Sequence, residues 1–106
     1  MATGILGTAD LSAGANTTLY TCPADTFTIA TVGFVNRGTT AATVRLSVSD
    51  TATPSNAEYL EYEATILPNN VLERTGIAMQ ADKILVVRSS SANVNALAMG
   101  IETSSV

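Results

Sequence analysis

Carboxylates are the side chains of this sequence with the most chemical potential. Glu58, Glu61 and Glu63 crowd one short stretch, and Asp50 opens the loop before them. Side chains alternate along a strand, so a two-residue spacing puts Glu61 and Glu63 on one face. Such a pair offers half of a Ca²⁺ site or, less naturally, an acid/base pair. The same acids also suit a solvated strand face, paired with Arg45, Arg74 or Arg88 on neighbouring strands. That solvated face is the expected arrangement.

Other chemistries lack parts. The sequence contains no histidine, so serine–histidine and cysteine–histidine catalysis have no base. Zinc lacks its usual ligands for the same reason. Cys22 is the single cysteine and has no internal disulfide partner. It follows the strand-like Thr17–Thr21 and precedes Pro23, so it reads as a small apolar thiol at a strand end. No glycine-rich phosphate loop opens a helix. Tyr20, Tyr59 and Tyr62 could make a sugar-stacking platform, but beside Leu19 and Leu60 they read first as core or rim residues. Asn16-Thr17-Thr18 matches an N-glycosylation acceptor, which has meaning only in a secreted chain. The residues therefore predict a non-enzymatic protein with no catalytic, cofactor or metal site.

The elements that would position these groups are strands. In Ala41–Ser49, Ala42, Val44, Leu46 and Val48 alternate with Thr43, Arg45, Ser47 and Ser49. A period of two predicts a half-buried strand with the second set in water. Further strands are expected at 5–11, 17–22, 26–36, 59–66, 71–75 with an extension to 80, 83–88 and 94–102. In 26–36, Phe27 and Ile29 lie on one face and Val32 and Phe34 on the other. That pattern predicts a bulge near Ala30-Thr31, or burial on both sides as in a central or interface strand. Asn36-Arg37-Gly38 reads as a hairpin turn, and Ile84-Leu85-Val86-Val87 as a strand buried on both faces. About eight strands with no convincing helix predict an all-β, antiparallel, jelly-roll-like sandwich. Residues 17–102 form its domain, 1–16 an N-terminal arm or edge strand, and 103–106 a frayed or docked tail.

Composition narrows the partners. The chain of 106 residues carries a net charge of −4, and its five cations are scattered. Nucleic acid needs clustered cations to displace counterions, so it is not an expected partner. No run of about 18 apolar residues predicts a membrane helix, and the N-terminus lacks the basic and apolar regions of a signal peptide. Only 13% of residues are charged, roughly half the usual quarter. Ser, Thr and Asn fill the gap, leaving little protection against association through strand edges. A homo-oligomer or a larger shell is the expected setting.

The order of short phrases carries a resemblance. Thr18-Leu19-Tyr20-Thr21-Cys22-Pro23-Ala24 is followed by Asn36-Arg37-Gly38, Ala41-Ala42-Thr43-Val44, Tyr59-Leu60-Glu61-Tyr62 and Leu72-Glu73-Arg74-Thr75-Gly76-Ile77. Ala81-Asp82-Lys83-Ile84-Leu85-Val86 and Gly100-Ile101-Glu102 close the series. This resembles small β-sandwich virion proteins of tailed bacteriophages, found among capsid decoration (cement) and tail or neck accessory proteins. The resemblance implies a structural role in the virion, commonly as a trimer, bound to the major capsid protein or another virion protein. It transfers no catalytic residue. Expected contacts are Ile5, Leu6 and Leu11 in the N-terminal segment, Thr43, Arg45, Ser47 and Ser49 on the alternating strand, and Val106 in the tail. Ile5 and Leu11 equally suit an edge strand that completes the domain's own sheet.

Overall fold

The computed structural model describes all residues, Met1–Val106. β-branched and aromatic residues between turn signals form eight strands: β1 (Thr3–Leu11), β2 (Thr17–Thr21), β3 (Thr26–Asn36), β4 (Ala42–Ser49), β5 (Tyr59–Ile66), β6 (Val71–Met79), β7 (Ile84–Ser89) and β8 (Val94–Ser104). One turn of 3-10 helix, Asn56–Glu58, precedes β5. No helix is long and apolar enough to cross a membrane.

The strands make two four-stranded sheets, the first ordered β1-β8-β3-β6 and the second β2-β7-β4-β5. Pairing is nested: β1 with β8, β2 with β7, β3 with β6 and β4 with β5, all antiparallel. The chain is thus a long two-stranded ribbon, doubled back between β4 and β5 and wound on itself. Pairing of β3 with β8 and of β4 with β7 seals the two sheets. This winding is the double-sheet jelly roll. The Cα radius of gyration, 13.3 Å, matches the roughly 13 Å of one packed domain of this length, terminal strands included.

Inward side chains of both sheets interdigitate: Ala30, Val32, Phe34, Ala96 and Ala98 from the first, Val44, Leu46, Leu85 and Val87 from the second. Each large buried apolar side chain contributes about 1.5–3 kcal/mol. The inner face is polar at the ends of β3, where Thr26, Thr28 and Asn36 are buried. Asn36 is satisfied there, its amide donating to the carbonyls of Thr40 and Ile66 at 2.9 and 3.0 Å.

Several expectations are corrected. Asn36-Arg37-Gly38 is no hairpin, because β3 and β4 lie in different sheets and the segment carries the chain between them. β3 does not switch faces: Thr26, Thr28, Ala30, Val32, Phe34 and Asn36 all point inward, leaving Phe27 and Ile29 outside. The register shift opposite Ala30 and Val32 belongs to β6, where Gly76 takes a φ of +69° and absorbs the extra residue. Strand β8 runs through Thr103 and Ser104, paired with Phe27 and Thr26, beyond the expected end at Glu102. Ser47 and Ser49 point away from the core as the alternation predicts, yet both are buried and not in water. The β4–β5 connection folds back over Ser49, and the Ser47 hydroxyl donates to the Val86 carbonyl of the neighbouring strand at 3.3 Å. Glu58 accepts from the Ser49 hydroxyl at 3.1 Å, the Asp50 N–H at 3.1 Å and the Ser55 N–H at 2.9 Å. Leu11 is a core residue, so it offers no contact surface.

Candidate functional site

The carboxylates separate. Glu63 has a φ of +53° and lies in a bulge of β5 opposite Arg45. The extra residue breaks the two-residue phase that would have aligned Glu61 with Glu63. Glu63 stays on the outer face of the second sheet, accepting from Arg45 Nε at 2.9 Å and Thr43 Oγ1 at 2.7 Å. Those bonds, the Thr43 hydroxyl first, hold its carboxyl below the usual range. Glu61 instead reaches Arg74 on β6 at 2.9 Å, tying the free edge of one sheet to that of the other. No three acidic or thiol groups converge on a metal-sized site. The acids are clamps between strands.

Cys22 is buried beside Thr28 at 3.2 Å. Tyr20 is also buried, its hydroxyl bonded to Thr28 at 2.8 Å and donating to Glu102 at 2.5 Å. Glu102 in turn accepts the Ala2 N–H at 2.8 Å. Tyr20 therefore cannot join Tyr59 and Tyr62 in a platform. Those two do meet, ring centroids 4.9 Å apart and edge to face, and the Arg45 guanidinium lies 4.4 Å from the Tyr62 centroid. With Asn56 they line an open cavity of about 350 Å³. Thr43 and Arg45 thus belong to a self-satisfied cluster on the second sheet's outer face. Lys83 and Asp50 add an ion pair where the β4–β5 connection meets the start of β7.

The outer face of the first sheet is different in kind. Strand registers place Phe27 beside Thr103, Ile29 beside Ile101 and Ala78, and Ile5 beside Met99 and its neighbour Thr31. Exposure remains 59% at Ile5, 41% at Phe27, 47% at Ile29 and 55% at Ile101. Val71 extends the face beside Val35. On the strands of this face the charged side chains are Asp10, paired with Arg37 at 2.6 Å, and Glu73, all at that far end, while Asp25 and the two chain termini border the opposite end. Of the expected contact residues, Ile5 alone lies in this patch. Leu6, displaced by the β1 bulge, packs against the core, and Val106 is exposed beyond β8. The patch was legible in Thr-Phe-Thr-Ile once threonine is allowed on the inner face; taking size as the guide to burial hid it.

Chemically, the molecule offers one shallow aromatic cavity on one sheet and one uncharged apolar plane on the other. Neither arrangement places a nucleophile against a base. No model of a known protein family matches the chain, and no curated protein matches it.

Proposed function

We propose that this protein is a non-enzymatic structural component of a tailed-bacteriophage virion, a capsid decoration protein that binds and stabilises the major capsid protein shell. The observation that carries the reading is the uncharged apolar plane of Ile5, Phe27, Ile29 and Ile101 on a rigid jelly-roll frame. A contiguous exposed apolar patch marks a surface made to meet another macromolecule. The ordered phrases from Thr18 to Glu102 supply the virion setting through their resemblance to such proteins. The jelly roll is shared by capsid and lectin domains, so the fold by itself does not choose between them. Weak contacts suffice in a shell because symmetry multiplies them.

Copy number tests the reading. Quantitative mass spectrometry of purified particles made by the genome encoding this chain should count hundreds of copies per particle. A few to tens of copies would move it to the tail, neck or baseplate, and none would remove it from the virion.

A second reading rests on the Asn56, Tyr59 and Tyr62 cavity: carbohydrate or host-receptor binding through the outer face of the second sheet. It requires glycan-array binding that disappears in Tyr59→Ala. An array that stays blank with the wild-type protein would sink it.

A further inference from the structure

The two outer faces of this sandwich are built for different surroundings. The second sheet carries Arg45, Glu63 and Arg88 outward, and its β4–β5 connection adds a covering layer held by Glu58. The first sheet has neither covering chain nor charge over most of its outer face. Its four strands, spaced about 4.8 Å apart, and the Phe27–Gly33 length of β3 give a plane of roughly 19 by 23 Å. We propose that a second copy of this chain covers this plane, face to face, in an isologous pair. The inference rests on the structural-protein reading above and assigns its apolar face to self-association within the assembly, which leaves the contact with the shell to the rest of the surface.

Three features select a second copy. The first is area: a corrugated plane of that size carries on the order of 600 Å² of accessible surface, so a pair buries about 1,200 Å², where stable specific interfaces begin. The second is the absence of a complementary patch. The other large exposed apolar residues are Met1 and Val106 at the termini, Leu67 in the β5–β6 turn and Tyr62 on the second sheet. A trimeric ring needs two different complementary surfaces on each subunit, whereas an isologous pair needs one surface that matches itself. The molecule supplies one, and this replaces the trimer implied by the resemblance. The third is charge. Glu73, Asp10 and Arg37 gather at one end of the plane. Glu73 stands at a corner of the plane, on the edge strand β6 beside Gly33, and a half-turn between copies leaves it at the rim in water, clear of the apolar centre.

Sedimentation equilibrium tests the pairing. At about 10 µM, wild-type protein should run at twice the 10.9 kDa chain mass. Ile29→Lys and Ile101→Lys should each run at the chain mass, while Leu67→Lys, which removes an exposed apolar residue elsewhere, should stay paired. Both isoleucines point outward, so the lysine variants should keep the wild-type circular dichroism spectrum and cooperative melt, which separates lost pairing from lost folding. Ile29→Thr, which keeps strand preference, should weaken pairing at least tenfold. A wild-type monomer, a threefold mass, or lysine variants that remain paired would each overturn the proposal. Binding of the same proteins to particles lacking this chain separates it from the parent reading. A monomer that coats particles overturns only the pairing, and a dimer that never coats them overturns only the virion role.

Discussion

Tyr20 and Glu102 show how a sequence with few charges still places one titratable pair where it matters. The Tyr20 hydroxyl sits between Thr28 and Glu102, and Glu102 also holds the Ala2 N–H, so one cluster joins β2, β3, β8 and the chain's start. Burial, then the bond to Glu102, pushes the phenol well above its ordinary value. The Tyr20 bond and the Ala2 N–H hold Glu102 below the usual carboxylate range. A raised phenol contributes stability that is complete below its unfolded value near 10 and is lost as pH rises toward the folded value. A depressed carboxyl contributes above its unfolded value near 4.5 and loses that contribution as pH falls through the folded one. Tyr20→Phe should therefore lower stability by about 1–2 kcal/mol at neutral pH and flatten the decline above pH 10. Glu102→Gln should flatten the decline below pH 4.5. Melting temperature against pH reads both, and limbs parallel to wild type would refute the assignment. That Tyr20 is a core residue follows from its place beside Leu19; that its hydroxyl meets Glu102 does not, because 82 residues separate them.

At the level of strands, five of the eight were legible to within a residue at each end, because period-two alternation and turn residues bound them locally. Pairing was not. Asn36-Arg37-Gly38 has hairpin chemistry, yet the chain passes between sheets there, since nested winding is decided by which faces bury together. The burial of Ser49 was equally hidden: it depends on a connection held by Glu58, nine residues beyond Ser49. The arginine partners of Glu61 and Glu63 were legible as a set but not one by one, because the bulge at Glu63 decides which acid faces which sheet. Two glycines separate the reasons a strand needs this residue. Gly76 takes a φ of +69° with open space around its missing side chain, so Gly76→Ala should cost about 1 kcal/mol from backbone strain alone. At Gly100 a Cβ would lie 2.1 Å from the Ile29 carbonyl oxygen, inside the β3–β8 ladder. Gly100→Ala must push β3 away from β8 and should cost about 3 kcal/mol or more. Urea unfolding of both variants checks the ordering. Equal losses would mean that close approach is not what position 100 requires.

Across the whole molecule, charge and apolar surface are segregated, and that segregation has a measurable consequence for association. The chain carries a net charge of −4, so two copies repel at long range. The plane proposed to join them contributes no ion pair, because Ile5, Phe27, Ile29, Met99 and Ile101 hold its centre. Salt then acts on the repulsion alone. Raising ionic strength from about 0.05 to about 0.5 M shortens the screening length from roughly 14 to 4 Å, which removes most of that repulsion and leaves apolar burial untouched. Pairing should hold its strength or tighten by a few-fold over this range, as read by sedimentation equilibrium at several protein concentrations. An interface built on Arg45, Glu63 and Lys83 of the other sheet would behave in the opposite way, since screening weakens attraction between opposite charges. Tenfold weaker association in high salt would therefore move the interface to the charged face.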